Sequence, residues 1–115
     1  MIEINRLNKY FESLSGTDKL SIPSKTILLE EGKVADRLFF IHKGALRLFF
    51  YNEGKDITFQ FFFEGDFVAS FDSLYKRKPS LFSLESIEQT EVFAIKREDF
   101  YSLMEQTPLL KREYE

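Results

Sequence analysis

Few residues in this chain carry reactive chemistry, and their types narrow what the protein can do. There is one histidine, His42, and no cysteine. Without Cys there can be no disulfide, thiolate metal site, iron–sulfur cluster or Cys nucleophile. One His cannot supply the converging donors that a metal centre takes. No nucleophile, base and orienting group share a spacing that would assemble them, and among 19 acidic residues no carboxylate pair stands out. The expectation is a protein that is not an enzyme and holds no metal. His42, beside Lys43-Gly44, reads as a turn-side or surface residue. Glu30-Glu31 reads as turn chemistry before Gly32, because adjacent strand residues point to opposite faces. Gly65-Asp66 fits a turn that lets the chain leave a strand. Lys76-Arg77-Lys78 is the longest single-sign run. It reads as a solvated loop, or as flexible point charges that could reach a phosphate.

The overall charge narrows the partners further. With 16 basic and 19 acidic residues the net charge is −3. Domains that grip nucleic acid are normally basic, because phosphate contacts supply most of the affinity. Direct DNA or RNA binding by these 115 residues is therefore not expected. No apolar run approaches the roughly 20 residues that cross a bilayer. There is no signal-like hydrophobic region. A cytoplasmic domain without membrane contact is the expectation.

The elements that position these residues read as strands. The chain is 43% hydrophobic with 14 Phe and no Trp, enough for one core without a metal or disulfide staple. Gly32, Gly44, Gly54 and Gly65 punctuate it at intervals of 12, 10 and 11 residues. Between them lie Lys25–Glu30, Arg37–His42, Ala45–Tyr51 and Asp56–Phe63, and later Leu81–Glu88 and Glu91–Lys96, all rich in β-branched and aromatic residues. Asp56–Phe63 alternates polar with apolar, which predicts Ile57, Phe59 and Phe61 on one core face. The Phe39-Phe40, Phe49-Phe50 and Phe61–Phe63 runs read mainly as core. Ile2, Leu7, Tyr10, Phe11 and Leu14 suggest a helix at the start, and Lys96–Gln106 predicts another before Pro108. Strands in the middle with short helices at both ends exclude a doubly wound sheet. An all-β domain over residues 1–115, a double-sheet jelly roll, is the expected fold.

The segment Ile27–Phe50 (ILLEEGKVADRLFFIHKGALRLFF) resembles the cyclic-nucleotide-binding sensor domain of the Crp–Fnr transcription regulators. The likeness continues through Gly65-Asp66-Phe67, where the family has Gly-Glu-Leu, and through Glu91–Phe100 (EVFAIKREDF). It covers roughly residues 5 to 110. The resemblance implies a small-molecule effector site, with cyclic nucleotide as the family's ligand. It also implies a long dimer helix beginning near Leu109, and a helix-turn-helix DNA-binding domain beyond it. This chain reads as a sensor domain separated from its output domain. DNA would be reached only through that other domain.

By the same resemblance the cyclic phosphate would rest near Phe67, Val68, Ala69 and Ser70, at the start of a short helix, where free N–H groups favour an anion. Ser70 or Asp72 would cap that helix. Gly65 and Asp66 occupy the ribose-binding place, although Asp is one methylene shorter than the family's Glu. The family's phosphate-binding Arg falls on Ser80, between Pro79 and Leu81. Ser80 carries no charge, and Lys76, Arg77 and Lys78 are the nearby cations that could replace it. A hydrogen bond to a charged group is worth about 1.5–3 kcal/mol, so its loss costs about one to two decades of affinity. This argues against tight binding of cyclic AMP or cyclic GMP. A rival expectation is a ligand-free jelly roll, filled by its own Phe side chains, that serves dimerisation alone.

Overall fold

A computed structural model describes Lys9 and residues 17–106. The elements run β1 (Thr17–Ile22), β2 (Ile27–Leu29), β3 (Arg37–Lys43), β4 (Ala45–Asn52), β5 (Lys55–Phe63), β6 (Phe67–Val68), α1 (Phe71–Lys76), β7 (Ser83–Ser86), β8 (Thr90–Lys96) and α2 (Arg97–Gln106). The strands form two four-stranded antiparallel sheets, ordered β1-β8-β3-β6 and β2-β7-β4-β5. This is the expected double-sheet jelly roll. The expected N-terminal helix and the helix beginning near Leu109 lie outside the described residues.

Strand β3 shows why its sequence is apolar on both faces. Phe39 and Ile41 point into the gap between the sheets and join Leu46, Leu48, Leu84 and Val92. Leu38 and Phe40 point the other way, joining Leu74 of α1 and Phe100 of α2. A strand buried on both sides loses the usual polar alternation. Strand β8 repeats the arrangement, with Val92 and Ala94 between the sheets and Phe93 and Ile95 beneath the helices. Each such fully buried side chain contributes roughly 1.5–3 kcal/mol of transfer free energy. These two strands anchor the domain.

Gly44 is the hinge at which the chain leaves one sheet for the other. Its φ of +109° favours glycine, and a Cβ there would lie 2.5 Å from Thr90 Oγ1. Thr90 also holds the corner, its hydroxyl oxygen accepting the Ala45 amide at 3.2 Å.

Several boundaries differ from the sequence expectation. Strands β1 and β6 were not anticipated; β1 exists by pairing with β8, placing Leu20 opposite Val92. The two-residue β6 pairs with β3 through Phe39–Val68 and Phe40–Phe67. Strand β5 is corrected more substantially. Leu48 lies opposite Gln60 while Phe49 lies opposite Thr58, so Phe59 is an extra residue in a bulge. The bulge shifts the alternation by one, and Phe61 no longer shares a face with Ile57 and Phe59. The expected single core face is absent: Phe59, Phe61 and Phe63 are each more than half exposed. Of the Phe runs, Phe39, Phe40 and Phe49 are core. His42 is likewise not a turn residue. It lies within β3, half-buried, edge-on to Phe93 with ring centroids 5.8 Å apart.

Candidate functional site

The segment Gly65–Ser83 leaves β5, passes through β6 and α1, and enters β7. Gly65 and Asp66 are bound to β3: the Gly65 amide donates to the Ile41 carbonyl at 2.9 Å, and the Ile41 amide to the Asp66 carbonyl at 3.0 Å. The Asp66 carboxylate accepts the Phe63 amide at 2.8 Å and so closes its own turn. Phe67, Val68 and Ala69 are buried, packed into the two core clusters.

Ser70, one of the two expected caps, stands at the N-cap of α1, but the cap is unusual. The Ser70 hydroxyl makes no bond to the helix amides. It is hydrogen-bonded instead to the Ser80 hydroxyl at 2.7 Å. Ser80 Oγ also lies 2.7 Å from the Phe82 carbonyl and accepts the Phe82 amide at 3.1 Å. Ser80 is only 3% exposed. The position that carries a phosphate-binding Arg in the resemblance is thus a buried knot joining both ends of the α1 segment. A cavity touching Ala69 and Ser70, between the sheets, has about 10 Å³. That is the room of a single water molecule.

The basic run is engaged with acids. Lys78 and Lys76 contact the Asp72 carboxylate at 2.7 and 3.2 Å. Hydrogen bonds from Lys78 and then Lys76 hold the Asp72 carboxyl below its usual range. Arg77, in the left-handed conformation that ends α1, lies 3.9 Å from Glu98 of α2. Lys76 and Lys78 thus converge on Asp72, and Arg77 turns to Glu98. Leu81 is exposed, whereas the ring of Phe82 turns inward against Phe59 and Phe50, with centroids 4.8 and 5.9 Å away.

A pattern that the sequence reading missed runs through this region. The buried polar residues among those described are all hydroxylic: Ser70, Ser73, Ser80, Ser83, Ser86 and Thr90. Ser73 accepts the amide of Ala35, Ser83 that of Glu31, and Ser86 that of Thr26. Each satisfies a backbone N–H that would otherwise be costly to bury. The partners stand 38 to 60 residues away in sequence, and no local signal marks them.

On the outer face of the second sheet, Arg47 of β4 forms an ion cluster. Its guanidinium meets both oxygens of Asp56 at 2.7 Å, Glu85 at 2.8 Å and the Thr58 hydroxyl at 2.8 Å. The Arg47 guanidinium also covers the Phe49 ring at 4.1 Å. The Arg47 hydrogen bonds pull the Asp56 carboxyl below its usual range. Beside this cluster an open cleft of about 440 Å³ is lined by Ile27, Glu30, Glu31, Gly32, Phe49, Tyr51 and Ser83. No group of three or more His, Cys, Asp or Glu side chains comes together among the described residues. No helix among them is long and apolar enough to cross a membrane.

The fold is shared with proteins of known structure. The catabolite activator protein of Thermus thermophilus superimposes with a TM-score of 0.76 at 21% identity, over 94% of this chain and 49% of that one. The c-di-GMP responsive global regulator CLP of Xanthomonas campestris gives 0.75 at 18% identity, over 95% and 51%. A cyclic nucleotide-binding-like protein from Brucella abortus gives 0.67 at 24% identity, over 89% and 97%. This chain spans about half the length of the first two. No curated protein sequence matches it significantly. Residues 19–107 match the sequence profile of the cyclic nucleotide-binding domain. By that match, which spans most of its length, the chain belongs to the cyclic nucleotide-binding domain family.

Proposed function

We propose that this domain is the effector-sensing part of a Crp–Fnr-like transcription regulator, with a binding rather than a catalytic role, and that its effector is not a cyclic nucleotide. The observation that carries this reading is Ser80. It stands where the resemblance puts the phosphate-binding Arg, is buried, and spends its hydroxyl on Ser70 and Phe82. Asp66, at the ribose-binding place, spends its carboxylate on the Phe63 amide. Lys76 and Lys78 are held by Asp72. A nucleotide phosphate would thus meet no fixed cation, at a cost of about one to two decades of affinity.

Regulation would proceed by population shift. An effector that prefers one arrangement of the β6–α1–β7 segment moves the whole domain toward it. The dimer helix and DNA-binding domain expected in the parent protein would then change orientation. Gly65, Asp66, Phe67, Val68, Ala69, Ser70, Ser80 and Leu81 remain the proposed responsive segment.

A second reading, a ligand-free interaction module, draws support from Phe82 packed between Phe50 and Phe59. Calorimetric titration separates the possibilities. Cyclic AMP and cyclic GMP should give no binding heat below millimolar nucleotide, and a low-micromolar dissociation constant for either would overturn the proposal. A panel of other small anions and metabolites that all fail to bind would favour the interaction module. A helix-turn-helix domain in the parent reading frame is expected for the regulator.

A further inference from the structure

Among the described residues strand β5 is an edge, bonded in the sheet to β4 alone. It presents Phe59, Phe61 and Phe63 at 59%, 51% and 57% exposure. Between Asp56 and Phe63 it contains no Pro and no Lys, the residues that commonly blunt an edge against pairing. The backbone groups that β5 turns away from β4 are therefore flanked by aromatic rings, as far as Phe63, whose amide and carbonyl are already bonded to Asp66.

The bulge gives this edge a further property. Pairing places Ile57 opposite Phe50, Gln60 opposite Leu48 and Phe62 opposite Leu46, the inward series of β4. Phe59 joins that side through its contact with Phe82. Asp56, Thr58, Phe61 and Phe63 lie on the other side, where Arg47 binds the first two. Read along the strand from Asp56, the faces are out, in, out, in, in, out, in, out. The order is the same in both directions about the midpoint between Phe59 and Gln60. A second β5 laid antiparallel about that midpoint matches every face: Thr58 meets Phe61, Ile57 meets Phe62 and Phe59 meets Gln60. Phe61 of each copy then lies diagonal to its counterpart, within aromatic reach. At each end, exposed Lys55 faces exposed Glu64.

We propose that β5 is the contact between two copies of this chain. The strands pair antiparallel about that midpoint, joining two four-stranded sheets into one of eight. The same patch serves both copies, as a twofold interface requires. The occupant follows from the self-matching faces and from the opposition of Lys55 and Glu64.

Sedimentation equilibrium of the 115-residue chain tests this. A reversible monomer–dimer equilibrium is expected. Lys55→Glu alone should raise the dimer dissociation constant about tenfold, since two exposed ion pairs turn repulsive. Glu64→Lys alone should do the same, and the double variant should recover wild-type association. Phe61→Lys should leave the circular dichroism spectrum unchanged and abolish the dimer. Because the chain has no native Cys, Lys55→Cys with Glu64→Cys should give a covalent dimer on oxidation. A wild-type chain that is monomeric throughout overturns the proposal. So does a dimer that is indifferent to these substitutions, or a charge swap that fails to restore association.

Discussion

Arg47 and Asp56 meet in a two-pronged ion pair across β4 and β5, with both N–O distances at 2.7 Å. The pair ties the edge strand to the sheet on its solvent side, and Glu85 of β7 extends the tie to a third strand. Bidentate geometry makes such a contact worth more than an ordinary surface pair. Replacing Arg47 with Met keeps most of the stem over Phe49 and removes the charge. Urea denaturation should show a loss of about 1–2 kcal/mol. A change smaller than the error of the fit would mean that the cluster contributes nothing.

Acid should weaken the fold by a related route. Asp56 beside Arg47, and Asp72 between Lys78 and Lys76, are both held below the usual carboxylate range. A group depressed in the folded state stabilises it above the unfolded pKa, near 4, and loses that contribution as pH falls through the folded value. The urea midpoint should therefore be insensitive to these two groups from neutrality down to about pH 4 and then drop. Asp72→Asn should make the acid-side drop shallower. An equal drop in that variant would remove Asp72 from the explanation.

The Ser70–Ser80 bond should behave as a coupled unit. Each hydroxyl is buried, so removing either takes a partner from the other, at about 1–2 kcal/mol, with Ser80 keeping its bonds to Phe82. Removing both strands neither side of that bond. A double-mutant cycle of Ser70→Ala and Ser80→Ala should show a coupling of about 1 kcal/mol. Strict additivity would show that the 2.7 Å contact carries no energy.

Glycine substitutions should separate space from backbone strain. Gly44, Gly32 and Gly54 all have positive φ, but only at Gly44 would a new Cβ strike neighbouring atoms, with Gln89 O and Thr90 Cα each at 2.8 Å. Gly32→Ala and Gly54→Ala should cost about 1–2 kcal/mol of conformational strain. Gly44→Ala should cost about 3 kcal/mol or more, because backbone must move as well. Thermal denaturation of the three variants checks the order. Equal losses would refute the packing argument.

How much of this was legible depended on where each residue's partners lie in sequence. The double burial of β3 is written in Leu38-Phe39-Phe40-Ile41, and the turns at Gly44 and Gly54 are written in glycine. Strand β1 was not legible. Its Thr-Asp-Lys-Leu-Ser-Ile sequence is too polar to announce a strand, and its order comes from the facing residues of β8. The bulge at Phe59 left no mark either, because Thr58-Phe59-Gln60-Phe61 alternates perfectly as text. At the candidate site, Ser80 could be singled out through the resemblance. Its burial could not, since that rests on Ser70 and Phe82 folding around it.

Ser73, almost wholly enclosed, has a mechanical consequence. Its oxygen takes the Ala35 amide at 2.8 Å while its proton goes to the Lys78 carbonyl, so one side chain within a six-residue helix rivets the lead-in of β3 to the chain just past that helix. The helix cannot tilt without tugging on Ala35. Any push on this short turn of chain is delivered to the residues that lead into β3.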